Sequence, residues 1–261
     1  MKSKVVRYMD RIKVQRLNPH IFSMDDAGES IGYLVVGMEK ALVIDTMNGY
    51  QDVRAVARTI TELPLMVINT HGHGDHIYGD IYFEEVYIHP LDMEVARRHS
   101  QMDGFMMMMA ERGMHMPPFL PIQHGDVIDL GGLTVEVVHL PGHTKGSILL
   151  LLREDRVLFT GDAINTHLWM QLEESSSPQD FLQALDKIMY LKDQADHILH
   201  GHYGQFLPIS FMERLREGVL QLCRGETGED TDYTYFGGIA RQHLYDGGNA
   251  SIVYPKSYRA E

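Results

Sequence analysis

Apolar positions in this chain recur with two periods. Between residues 5 and 24 polar and apolar residues alternate, as in Arg11-Ile12-Lys13-Val14-Gln15-Arg16-Leu17, which predicts strands broken at Asn18-Pro19. Ile31 to Val36 and Ala41 to Ile44 predict a second strand pair around Gly37-Met38-Glu39-Lys40. Residues 51–62 place Val53, Val56, Ala57 and Ile60 on one helical face, and Leu65-Met66-Val67-Ile68 reads as a short buried strand. Val86 to His89 predicts the next parallel strand and Pro90 to His99 the next helix. Alternation of strand and helix with short links indicates an α/β layered protein. Residues 125–138 predict a hairpin turning at Gly131-Gly132, followed by strands at Ser147 to Leu152 and Arg156 to Phe159. Ser177-Pro178-Gln179-Asp180 opens a helix with a Ser cap, a Pro in the first turn and an acid near the N-terminal dipole. Residues 208–224 predict a last helix. No solenoid-period repeat and no linker divides the chain, so one domain over residues 1–261 is expected, with a Gly- and Tyr-rich C-terminal extension from about residue 225.

Several of these strands end in ligand-type residues. Leu65 to Ile68 runs into Asn69-Thr70-His71-Gly72-His73-Gly74-Asp75-His76, three imidazoles and a carboxylate spaced by glycines. Histidine is the commonest protein metal ligand, and the glycines let the backbone turn tightly enough for alternate side chains to converge. Four ligand-type residues so close together are rare in an ordinary surface loop. Downstream, His143 follows Pro141-Gly142, Asp162 follows Thr160-Gly161, and His202 follows His200-Gly201. Open α/β sheets place their sites outside such strand ends. Asp45, where the strand Ala41 to Ile44 emerges, is a candidate helix cap or a support for neighbouring imidazoles.

The motif His71-x-His73-x-Asp75-His76, with His143, Asp162 and His202, resembles the signature of the metallo-β-lactamase-fold hydrolases, a superfamily that includes glyoxalase II and lactonases. The resemblance implies a four-layer αββα sandwich. It also implies two divalent metal ions, His71, His73 and His143 holding one, Asp75, His76 and His202 the other, and Asp162 bridging both. Asp45 matches the family's bracing aspartate. Zinc suits such ligands, and iron or manganese can also occupy them. The implied reaction is attack of a metal-bridged hydroxide on the carbonyl of an ester, thioester, lactone or lactam, with Asp75 orienting the hydroxide and taking its proton. Phosphoester hydrolysis would use the same parts, and a mononuclear iron enzyme like the persulfide dioxygenases shares the fold with a subset of the ligands. The bridging position is Asp162 and not Cys, the basic cluster of glyoxalase II is missing, and Asn165 stands where several lactonases have Tyr.

Other positions are open to two readings. His167 and Trp169 either line the substrate space or pack in the core. Residues 101–119 hold seven methionines with Phe105 and Phe119, a soft apolar surface that serves as a lid over a partly apolar substrate, with Met106 and Met109 lining it, or as packing or a subunit contact in a homo-oligomer. His20, His89, His99, His115, His124, His139, His197 and His243 read as surface or packing residues, and His200 as a weaker ligand candidate than His202.

Composition narrows the partners. Net charge is −13, from 23 basic and 36 acidic residues, with no basic block of five or more, which argues against nucleic acid and for a small-molecule substrate. A 44% apolar content is ample for a sizeable core. The single cysteine, Cys223, excludes an intramolecular disulfide. No signal peptide and no membrane-spanning run is visible, and a cytoplasmic location is expected.

Overall fold

The computed structural model describes residues 11–235 and 238–260; the first residues of the predicted N-terminal strand region lie outside them. The first sheet takes its strands in chain order: β1 (Ile12–Arg16), β2 (Ile21–Asp26), β3 (Ile31–Val36), β4 (Ala41–Ile44), β5 (Leu65–Ile68), β6 (Val86–Ile88) and β7 (Phe119–Pro121). It is antiparallel as far as β4 and parallel from β4 onward. The second sheet contains β8 (Val127–Asp129), β9 (Thr134–His139), β10 (Ile148–Leu152), β11 (Val157–Gly161), β13 (His197–His200) and β14 (Tyr203–Pro208), in the order β14-β13-β11-β10-β9-β8. A third sheet joins β12 (His167–Trp169) to β17 (Ala250–Tyr254), β16 (Gly238–Tyr245) and β15 (Thr231–Tyr235).

Side-chain alternation explains the layering. From β3, Ile31, Tyr33 and Val35 meet Val135, Val137, Ile148, Leu150 and Phe159 of the second sheet in a core between the sheets. Leu34, with Met24, Val43 and Val67, faces the other way, onto α1 (Val53–Arg58). Strand β10 is apolar at every position because both its faces are covered. Its even residues enter the inter-sheet core, while Leu149 and Leu151 pack under α5 (Pro178–Ile188) and α6 (Phe211–Cys223). Truncating a residue such as Leu150 to Ala removes a fully buried side chain and costs about 2–5 kcal/mol. Helix, sheet, sheet and helix thus form four layers, as the resemblance implied. The third sheet was not foreseen; Ile252 and Tyr254 of β17 join the same core cluster as α6.

Local chemistry fixes the boundaries. Ser177 Oγ accepts from Asp180 N at 3.1 Å, capping α5 where the sequence predicted. Gly131 and Gly132 turn the β8–β9 hairpin with φ of 80° and 77°, values other residues reach only under strain. The predicted helix over 51–62 is shorter: α1 stops at Arg58, whose guanidinium bonds the carbonyls of Thr61 and Leu63. The predicted helix at 90–99 begins as a 3-10 turn and continues as α3 (Met93–Ser100).

The methionine segment forms a helix of its own, α4 (Asp103–Arg112), closed by Gly113 in the left-handed region at φ 64°. Phe105 is its one fully buried side chain and stacks on Tyr78 at 3.8 Å. No helix among the described residues is long and apolar enough to cross a membrane.

Candidate metal centre

The strand-end loops meet on the floor of a cavity of about 570 Å³. His71 and His73 follow β5, and Asp75 and His76 lie in the short helix α2 (Gly74–Ile77). His143 follows β9, Asp162 follows β11 and His202 follows β13. Among the described residues four groups of donor atoms cluster within 4.8 Å: His71 with His73 and His143, Asp75 with His76 and His202, Asp162 with His71 and His76, and, to one side, His73 with His99 and Glu174. Asp162 lies between the first two groups, 3.8 Å from His143 Nε2, 3.6 Å from His76 Nε2 and 3.0 Å from His202 Nε2. All seven residues singled out from the sequence are therefore brought together.

Each of the five imidazoles is held from behind. His76 Nδ1 bonds Asp45 Oδ2 at 2.8 Å, His143 Nδ1 the carbonyl of Trp169 at 2.7 Å, and His202 Nδ1 the carbonyl of Glu29 at 2.9 Å. His73 is turned the other way round, with Nε2 on Glu174 Oε1 at 2.8 Å. His71 Nδ1 meets Thr70 Oγ1 at 3.1 Å, and that hydroxyl itself donates to Asp45. An acceptor behind each ring anchors a proton there, which leaves the inward nitrogens of His71, His73 and His143 as lone pairs. Those lone pairs crowd one another: His71 Nε2 and His143 Nε2 lie 3.1 and 2.9 Å from His73 Nδ1. His76 Nε2 and Asp162 Oδ1 are buried with no hydrogen-bond partner. Lone pairs converging without protons between them, beside orphaned buried polar atoms, are what a cation site requires, so these residues fit divalent metal ions.

The electrostatics divide the floor. Burial, reinforced by the neighbouring His76, His73 and His143, lowers the His71 pKa well below the ordinary histidine value. Burial and His73 bring His143 to about 4. On the other side, Asp162 raises His202 to about 9, and Asp75, Asp45 and Asp162 raise His76 against the opposing pull of burial. His71 and His143 are thus neutral imidazoles, while His76 and His202 stand against carboxylates.

Asp45 holds the loop as well as His76. Its Oδ1 accepts from Thr70 N at 2.7 Å and its Oδ2 from Thr70 Oγ1 at 2.8 Å, while its own backbone is left-handed at φ 59°. It caps no helix; Asp52 caps α1. Three further acids went unrecognised in the sequence. Asp92 accepts from Gly72 N at 2.9 Å, Thr144 Oγ1 at 2.6 Å and Gly146 N at 2.8 Å, tying the first metal loop to the His143 loop. Asp80 accepts from Thr46 Oγ1 at 2.7 Å and Asn69 Nδ2 at 2.6 Å, behind the same loop. Glu174 joins His73 to Arg98, which it bonds at 2.7 Å. Each stands alone in an ordinary stretch of sequence, with partners far along the chain and no motif to mark it.

The cavity walls include His167 and Trp169, the two residues open to either reading. Met106 and Met109 do not line it, contrary to expectation. Phe105 and Tyr78 pin α4 beside the opening, so that Met102, just before the helix, takes the wall position and Met106 stays exposed. His99, read as a packing residue, lines the cavity and accepts from Gly74 N at 3.2 Å. His200 also lines it, but its Nδ1 is taken by His202 N at 3.2 Å.

Comparison with known proteins agrees with this geometry. Residues 28–202 match the family model described as metallo-beta-lactamase superfamily. The acyl-coenzyme A thioesterase MBLAC2 of Gallus gallus is 30% identical over 200 residues, 67% of this chain and 72% of that protein. The atrochrysone carboxyl ACP thioesterase of Passalora fulva is 29% identical over 193 residues, 70% of this chain and 52% of that protein. Among solved structures, a metallo-β-lactamase from Erythrobacter litoralis superposes with a TM-score of 0.61 at 19% identity, covering 82% of this chain and 98% of its own. One from Pontibacter korlensis gives 0.55 at 18% identity, covering 80% and 99%. Fold, strand-end donors and family match together place this chain in the metallo-β-lactamase superfamily.

Proposed function

We propose that this chain is a metal-dependent hydrolase that cleaves thioesters of small, partly apolar acyl groups. The observation that carries this reading is the set of five inward-facing imidazoles and two carboxylates on the floor of a cavity with an apolar wall. The thioester assignment is supported by relatives whose names are acyl-coenzyme A and acyl-carrier-protein thioesterases.

His71, His73 and His143 would hold one divalent ion, Asp75, His76 and His202 a second, and Asp162 both; zinc suits this set, and iron or manganese also fit. Such a pair, when bound, supplies Lewis-acid polarisation of the carbonyl and acidifies water to a pKa of about 7. The chain's own groups do the rest. Asp75 is half-buried, with Oδ2 3.7 Å from His76 Nε2 and 3.6 Å from His202 Nε2, and it orients the attacking water and accepts its proton. Asp162 holds the two halves of the floor in register. Asp45 and Glu174 keep the protons of His76 and His73 on the outward nitrogens. The walls exclude bulk water, which strengthens these interactions.

Elemental analysis of protein purified without chelator, followed by assays on thioester, ester, lactone, lactam and phosphoester substrates, tests the proposal. Two metal ions per chain and a preference for thioesters are expected. One iron per chain with oxygen uptake on a persulfide would replace it by the mononuclear oxygenase reading.

A further inference from the structure

The cavity has two chemically different walls. One is apolar, where the lining residues Tyr78 and Met102 touch. Tyr78 is locked there, stacked on Phe105 at 3.8 Å and donating to the carbonyl of His99 at 3.2 Å and to Met102 Sδ at 3.3 Å. Met106, one turn beyond Met102 along α4, is exposed, so the apolar surface continues out of the cavity.

The other wall is polar: Asn165, Thr166 and His167, ending at Trp169. It is built from the third sheet, most of which lies beyond the family-matched residues 28–202. His167 Nδ1 meets Ser251 Oγ at 2.6 Å and Nε2 meets Tyr233 OH at 3.1 Å. The Trp169 ring packs against Tyr233 and Tyr235 at 6.1 and 5.9 Å between centroids. Among the described residues the cavity lining includes no Lys or Arg. Amide, hydroxyl and imidazole groups without a cation suit a neutral amide-bearing chain rather than a phosphate.

We infer that the two walls sort the two arms of a thioester: the acyl chain runs along Tyr78 and Met102 toward α4, and the amide-bearing pantetheine arm lies along the wall that Ser251 and Tyr233 hold in place through His167. The assignment rests on the thioester reading above. Coenzyme A and acyl carrier proteins share this arm, so the wall reads what both have in common.

Two ratios test it. The first compares kcat/KM for dodecanoyl and butanoyl thioesters; the second compares pantetheine and N-acetylcysteamine thioesters of one acyl group. Tyr233→Phe and Ser251→Ala each remove one hydroxyl from His167, and each should lower the second ratio about fivefold, the loss of one hydrogen bond, mainly through KM. Met102→Ser should lower the first ratio and leave the second at the wild-type value. Equal losses on coenzyme A and carrier-protein thioesters support the assignment, and a loss on only one of them overturns it. So does a crossed pattern, in which Tyr233→Phe alters chain-length preference and Met102→Ser alters arm preference, or no change in either ratio. Trp169 is the only tryptophan, so its fluorescence reports binding without turnover. The unreactive S-dodecyl pantetheine thioether should quench it in the wild type, and several-fold more of it should be needed in Tyr233→Phe. Quenching with this dependence, in a protein that cleaves no thioester, would leave the walls standing and refute the reaction. Hydrolysis without any such dependence would do the reverse.

Discussion

Asp45 combines three demands at one position: a left-handed backbone, complete burial, and two carboxylate oxygens that hold Thr70 and His76. Asparagine tolerates that backbone and keeps one acceptor, so Asp45→Asn should fold. It loses the carboxylate behind His76, and metal affinity measured by chelator competition should fall about 10–100-fold. Asp162→Ala removes the carboxylate shared by both halves of the floor; metal content at both positions and hydrolysis should be lost, and retention of both ions with normal turnover would refute its bridging role. Asp92→Asn turns an amide toward Gly72 N, Thr144 or Gly146 N, and denaturant unfolding should show a loss of about 1–3 kcal/mol. The seven candidate ligands were legible because they fall in short motifs with turn residues beside them. Asp92, Asp80 and Glu174 were not, because what defines them is a set of partners up to 101 residues away.

At the scale of elements, legibility followed the apolar pattern. Strand β10, a short unbroken apolar run, and helix α5, with one apolar face, appear where expected. Helix α4 did not: Met106 to Met109 are consecutive and cover every side of a helix, so they define no face, and only its contact through Phe105 fixes which way it turns. Strand β15, Thr-Asp-Tyr-Thr-Tyr, is half-buried on its aromatic side alone, and its signal is correspondingly faint. The segment after β6 carries a pH response. His89 Nδ1 accepts from Leu91 N at 3.3 Å, and its ring stacks on His139 at 4.2 Å. Burial, and then His139, lower its pKa from 6.5 to about 4. As pH falls, the unfolded chain takes up this proton first. The stability that neutral His89 contributes is therefore fully present above about 6.5 and is lost between 6.5 and 4. Urea midpoints measured across that window should fall more steeply for the wild type than for His89→Asn; parallel slopes would remove His89 as the cause.

Over the whole molecule, the donors come from both sheets: His71, His73, Asp75 and His76 from the first, His143, Asp162 and His202 from the second. Ions bound between them would act as a cross-link on the inter-sheet core. If free metal exceeds each dissociation constant a thousandfold, each ion contributes about 4 kcal/mol and the pair about 8 kcal/mol. At roughly 2–4 °C per kcal/mol for a chain of this size, stripping both ions should lower Tm by about 16–32 °C. Calorimetry with and without chelator measures this, and an unchanged Tm would show that nothing is bound there. The four-layer arrangement was readable in advance because it is a consequence of which strand faces are apolar. The third sheet was not, because its place depends on β12 and β17, which are far apart in sequence, finding each other.

That division of donors between the two sheets also bears on which ion the protein acquires. The floor exists only once both sheets have docked, so before that the chain carries the His71 to His76 group without His143, Asp162 and His202 and would hold an ion less tightly. Selection among zinc, iron and manganese would therefore happen in one event, when the sandwich closes. The ion that is most available at that moment has the advantage, because ligand preference alone separates these metals poorly. The same polypeptide expressed in media of different metal supply should emerge with different occupancy.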